Sequence, residues 1–189
     1  MIADAHERYR RRQLPHWDLP GATYFITCCL AGSLQARGVV RGAPLPDAMA
    51  GAVPGSRWLA DRRVAAVVEA AMHHFAGTRY ELLAFVIMPD HVHWVFQPLK
   101  GRSTPGGRPI SREVIQHSFL RYTGAACNRL LGRSGPFWQH ESYDRVIRDE
   151  IELARVVEYV EHNPVRAGLC TRPEDWRFSS AWRGAKTAG

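Results

Sequence analysis

Residues 80–97, YELLAFVIMPDHVHWVFQ, decide the fold. Tyr80 to Met88 is a nearly unbroken apolar and aromatic run, the composition of a strand. Pro89-Asp90 is a turn signal. His91 to Gln97 is then the return strand, and the stretch reads as a β-hairpin. Side chains at i and i+2 of a strand share a face. His91 and His93 therefore project side by side, and Val92 points the other way. Two neutral ring nitrogens so placed suit one divalent metal ion. The competing reading is a chance pair of histidines on a solvated strand face, because short motifs recur by accident.

Outward from the hairpin, the pattern alternates between strands and helices. Upstream, Asp61 can cap a helix running to about Phe75, with Val64, Val67, Val68 and Ala71 on one face and Gly77 past its end. Before it, residues 31–56 are rich in Gly and Pro and read as a long loop. Ala22 to Leu30 (ATYFITCCL) reads as the first strand of the domain. Downstream, Ser111 caps a longer helix through about Leu131, with Glu113 in its first turn. Ser142 to Arg148 (SYDRVIR) reads as a fourth strand. Asp149 caps a last helix, expected to stop at about His162 because Asn163-Pro164 follows.

This order is β-α-β-β-α-β plus one helix. It predicts an α+β, ferredoxin-like antiparallel sheet with two helices on one face and an extra C-terminal helix. We expect a basic N-terminal arm over residues 1–20, a single domain over 21–183 and a disordered tail over 184–189. On the last helix, Tyr159 and Asn163 are four apart and share a face. An apolar stripe of Ile151, Val156, Val157 and Val160 is expected elsewhere on that helix. A tyrosine near a helix end is also commonly a packing residue with a wet hydroxyl.

The chain has 189 residues and a formal net charge of +7, nearly all of the positive charge from arginine. Arginine favours bidentate contact with phosphate, so the balance points to a polyanionic partner, most simply nucleic acid. The four cysteines match no zinc spacing and form no dense disulfide framework, which suggests a reducing compartment. No apolar run approaches the ~20 residues that span a bilayer, and the N-terminus lacks the apolar core of a signal peptide. A cytoplasmic, nucleoid-associated protein with no membrane partner is expected.

Several segments together carry a resemblance: MPDHVHWVFQP, NRLLGRSGPFWQHESYDRVIRDE, VVEYVEHNPVRAGL, the terminal EDWRFSSA, RWLADRRV and CLAGSL. The HVH pair followed by a helix bearing Tyr-x-x-x-Asn resembles the HUH class of single-strand DNA nucleases. More closely, the chain resembles the REP-associated tyrosine transposases (RAYTs), relatives of the insertion-sequence transposases, which act on repeated extragenic palindromes. The resemblance implies a metal-dependent endonuclease and strand transferase. In it, His91, His93 and Asn163 would bind Mg²⁺ or Mn²⁺, and Tyr159 would attack the scissile phosphate to give a 5′-phosphotyrosine link. The implied partner is single-stranded or hairpin DNA, and the working unit a monomer or a homodimer. The alternative is a hairpin-binding regulator without cleavage activity.

Two departures from the family pattern stand out. Asp90 replaces the usual asparagine before the HxH, either keeping a turn cap or adding negative charge near the metal. Arg121 precedes the Tyr122-Thr123 pair where relatives have a nearby lysine. Candidate phosphate contacts are Arg10, Arg11 and Arg12 of the arm with Arg121, Arg129, Arg133, Arg145 and Arg148. Trp138, Phe137, Trp94 and Tyr143 are candidates for stacking unpaired bases, against the alternative that each packs in the core. His140 is a candidate extra site residue, and His73-His74 is expected to face solvent.

Overall fold

The structure, a computed structural model, describes residues 8–11, 15–19, 21–33, 56–107, 109–140 and 142–184. Four strands form the main sheet: β3 (Thr23–Cys29), β4 (Tyr80–Ile87), β5 (His91–Pro98) and β6 (Tyr143–Ile147). They follow β1 (Arg8–Arg11) and β2 (Pro15–Asp18), which pair antiparallel as a separate two-stranded sheet. The segment expected as an extended arm therefore contains a hairpin. Arg12 lies outside the described residues, as do 34–55 of the expected long loop and 185–189 of the tail.

The main sheet has the order β4-β5-β3-β6, antiparallel throughout. This is the ferredoxin-like arrangement expected from the element order. Alternation along the strands builds two cores. On one face Tyr24, Ile26, Val92, Trp94 and Phe96 pack with α1 (Arg62–His74) and α2 (Arg112–Leu130). On the other face Phe25, Ala84, Val86 and Val95 pack with α3 (Glu150–Arg166). The hairpin register puts His91 and His93 on the α3 face, opposite Trp94.

Local rules set the helix starts. Asp61, Ser111 and Asp149 each accept a hydrogen bond from a first-turn backbone N–H. The end of α3 departs from expectation. The helix runs through Pro164 to Arg166 instead of stopping at His162. A proline near a helix end removes its own N–H bond but leaves the turn closable, and tertiary packing outweighs the local preference. Here Asn163 and Pro164 are both buried, and Ala167 N–H and Leu169 N–H close the end on the Asn163 and Pro164 carbonyls. The consequence is that Asn163 stays in the helix, one turn beyond Tyr159.

The C-terminal segment pairs with the outer edge of β4. Ile87 N–H donates to Phe178 O, Ser180 N–H donates to Phe85 O, and the Trp176 indole donates to Ile87 O. This covers a strand edge that would otherwise template pairing with another chain. No helix among the described residues is long and apolar enough to cross a membrane.

Candidate active site

The site is assembled by β3, β5 and α3. The His91 and His93 rings lie 4.7 Å apart between centroids. Each Nδ1 is engaged. The His91 Nδ1 lies 2.7 Å from Asp90 Oδ1, and because an ionised carboxylate only accepts, His91 is the donor. The His93 Nδ1 is 2.8 Å from Thr27 Oγ1, its cross-strand partner in the β3–β5 register. Both contacts orient the rings and leave each Nε2 for another bond. A carboxylate or hydroxyl behind a histidine is the usual outer support of a metal ligand.

His93 is 2% exposed, enclosed by the Phe25 ring at 5.3 Å and the Tyr159 ring at 5.4 Å between centroids. Burial, followed by the nearby His91, pushes its pKa well below the ordinary histidine value. It is therefore a neutral imidazole at neutral pH, the form a metal ligand needs. Burial pushes the Asp90 carboxyl up, but its hydrogen bond and charge interaction with His91 more than offset this and hold it below the usual range.

Tyr159 and Asn163 sit on the buried face of α3 with Val156 and Val160. The apolar stripe thus includes the Tyr159 face instead of lying elsewhere, while Ile151 is 68% exposed and takes no part in it. Helical spacing of 3.6 residues puts positions 156, 159, 160 and 163 on one stripe. The Tyr159 ring meets Phe25 edge-on at 6.0 Å, and the Arg166 guanidinium lies 5.2 Å from its centre. Asn163 is fully buried, yet neither its amide oxygen nor its amide nitrogen has a hydrogen-bond partner among the described residues. Such orphans are rare in folded proteins and ask for a ligand or an ion. Among the described residues no group of three or more His, Cys, Asp or Glu is arranged to hold a metal. Two imidazoles and an amide, if brought to one ion, would fit a divalent cation completed by water or phosphate oxygens better than structural zinc.

No protein-family model matches the chain. In sequence it is 30% identical over 112 residues to the "Putative REP-associated tyrosine transposase" of Haemophilus influenzae, covering 57% of this chain and 62% of that one. It is 27% identical over 104 residues to the REP-associated tyrosine transposase of Escherichia coli K12, covering 55% and 56%. The chain is thus similar in sequence to two REP-associated tyrosine transposases. It matches less than two thirds of the length of these relatives. Its fold is similar to the solved structure of a REP-associated tyrosine transposase bound to a REP hairpin, with a TM-score of 0.56 and 20% identity over 91% of this chain and 81% of that one.

The residues singled out for DNA contact do not converge in the same way. Arg121, Arg129 and Arg148 are exposed, and Arg10 and Arg11 lie on β1. Arg133 is half-buried, with its guanidinium 3.5 Å from the centre of the Trp58 ring and one N–H donating to Asn128. Arg145 is ion-paired with Glu152. Trp138 is a correction. It is 8% exposed, its indole N–H donates to Thr123 Oγ1 at 2.8 Å, and its ring packs against Phe119 and Phe137. It holds the core and offers no stacking face, and Trp94 and Phe137 are buried likewise. Tyr143 is half-buried beside Phe25, and His140 is exposed, as are His73 and His74.

Thr27, Phe25 and Arg166 were missed from sequence. Thr27 becomes visible only once the β3–β5 register is known. Of the two readings of Asp90, the structure shows a side chain that reaches His91. Asp90→Ala is expected to weaken Mn²⁺ binding by about tenfold to a hundredfold, the usual effect of removing an outer partner. Asp90→Asn keeps an acceptor and is expected to stay close to the parent. Calorimetric titration with Mn²⁺ checks this, and equal affinity in the alanine variant would remove Asp90 from the site.

His93 also makes stability depend on pH. Its folded pKa is depressed, whereas the unfolded histidine accepts a proton near pH 6.5. The unfolded chain therefore binds more protons below that pH. Stability from this group is fully present above roughly pH 6.5 and falls as pH drops below it. Thermal melts of the metal-free chain from about pH 8 to pH 5 are expected to show this fall, with a shallower slope in His93→Gln. An unchanged slope would refute the assignment.

Proposed function

We propose that the chain is a divalent-metal-dependent endonuclease and strand transferase acting on single-stranded DNA flanking a REP-type hairpin, with Tyr159 as nucleophile. The observation that carries this is the placement of the Tyr159 ring against His93, with the Asn163 amide, which has no partner among the described residues, one turn further along α3. His91, His93 and Asn163 would hold Mg²⁺ or Mn²⁺, which would polarise the scissile phosphate when bound. The Tyr159 oxygen attacks phosphorus, the bond to the 3′ oxygen breaks, and that oxygen leaves as a 3′-hydroxyl carrying the proton. The DNA 5′ end remains on Tyr159 as a phosphotyrosine. A second 3′-hydroxyl can reverse the exchange, so strands rejoin without another energy source.

Exposed Arg121, Arg129 and Arg148, with Arg10, Arg11 and Arg12, supply phosphate contacts in this reading. REP-hairpin binding by the similar solved protein supports the substrate class, and a nucleoid-associated, cytoplasmic location follows from it. The test is to incubate the protein with a labelled REP-type hairpin bearing single-stranded flanks and Mn²⁺, then denature it. A protein–DNA adduct is expected. Hairpin binding without any adduct would favour the regulator lacking cleavage.

A further inference from the structure

Arg166 ends α3, seven residues beyond Tyr159 and so about two turns further along the same helix. Positions 159, 163 and 166 then share one stripe. That alignment exists because the helix continues through Pro164, since a stop at His162 would leave residue 166 off the stripe. The Arg166 guanidinium lies 5.2 Å from the centre of the Tyr159 ring. The ring is 5% exposed, whereas Arg166 is exposed. A phosphate approaching Tyr159 from the Arg166 side therefore meets the guanidinium. A basic residue in the last helical turn also offsets the helix dipole. Any exposed cation fills that role without lying beside an aromatic ring.

We propose that Arg166 is a catalytic residue of this site, donating hydrogen bonds to the non-bridging oxygens of the phosphate that Tyr159 attacks. The inference rests on the nuclease reading above. In phosphate transfer the negative charge of the transition state is spread over those oxygens. A planar guanidinium meets two of them with parallel N–H bonds, where a lysine offers a point charge. Around Tyr159, His91, His93 and Asn163 are committed to the ion in that reading, Phe25 is apolar, and Arg145 is ion-paired with Glu152. Arg166 is the cation placed against the nucleophile's own ring. It forms no covalent bond and takes no proton, so the exchange at phosphorus balances as already written.

Arg166→Gln and Arg166→Lys test this, because an exposed side chain can be changed with the core intact. At saturating DNA and Mn²⁺, Arg166→Gln is expected to lower single-turnover cleavage about a hundredfold, the scale of one lost transition-state donor. Arg166→Lys keeps the charge without the fork and is expected to fall between that variant and the parent. Mn²⁺ affinity by calorimetric titration and the melting curve are expected to stay parental. The readout independent of cleavage is the salt dependence of binding. On a hairpin whose single-stranded flank carries the cleavage site, the slope of log affinity against log salt is expected to become shallower by about 0.7 in Arg166→Gln, the value of one single-strand phosphate contact. On the same hairpin trimmed of that flank, the slope is expected to match the parent's. Parental cleavage with a parental slope in Arg166→Gln would overturn the proposal and leave the nuclease reading standing. So would equal loss of cleavage in both variants with a parental slope, the sign of a packing role. A shallower slope with parental cleavage would make Arg166 a binding contact only and overturn its catalytic role. Failure of the parent to form any adduct, with the slope difference retained, would overturn the nuclease reading and leave Arg166 a phosphate contact.

Discussion

Tyr159→Phe is expected to bind hairpin DNA with the parent's affinity and to form no denaturation-resistant adduct. The substitution removes one oxygen and keeps the ring. That ring is 5% exposed and meets Phe25 edge-on, so phenylalanine retains its packing. Loss of the hydroxyl's own interaction should cost no more than about 1 kcal/mol of stability, the net value of a typical hydrogen bond. The effect on chemistry is categorical, since no other atom of residue 159 can bond to phosphorus. The assay compares parent and variant on the same labelled hairpin with Mn²⁺, after confirming equal melting curves within a few degrees. An adduct that persists would mean another nucleophile, and Tyr143, half-buried on the same sheet face beside Phe25, would be the first to examine.

His91→Ala is expected to lower single-turnover cleavage by about a thousandfold, as loss of several kcal/mol of metal stabilisation implies. Hairpin affinity should remain close to the parent's. His91 is the better probe of the pair. Its side chain is 12% exposed and borders Asp90, so truncation leaves space that water can enter. His93 is enclosed by the Phe25 and Tyr159 rings, and its removal would open a cavity beside the nucleophile itself. Mn²⁺ titration supplies the second readout, in which the His91→Ala site should no longer saturate in the range that fills the parent. Cleavage at the parental rate with parental metal affinity would eliminate the histidine pair as the metal site.

The histidines, Tyr159 and Asn163 lie on the α3 face of the sheet, and Trp94 lies on the α1–α2 face. β5 contributes to both faces, since residues 91 and 93 point one way and 94 the other.

Much of this was readable along the chain because it depends on neighbours in sequence. Strand periodicity placed His91 and His93 on one face, Asp61, Ser111 and Asp149 announced the three helix starts, and the spacing of Tyr159 and Asn163 put them on one turn-to-turn line. Local preference also misled. Pro164 read as a helix stop, yet burial of Asn163 and Pro164 holds that turn helical. Trp138 read as a possible stacking surface, yet Thr123 and Phe119 claim it for the core.

What the sequence alone determined was the order of the elements, the face of each side chain within its own strand or helix, and the residue types able to do the chemistry. Those follow from backbone periods of two and 3.6 residues, which act within a segment. Only the tertiary structure decided that Thr27 stands behind His93, that Tyr159 lies against that ring, and that the Asn163 amide is buried with no hydrogen-bond partner among the described residues. These contacts join segments separated by dozens of residues. Strand register and helix docking set them, through the packing of two cores that no single stretch of the chain encodes.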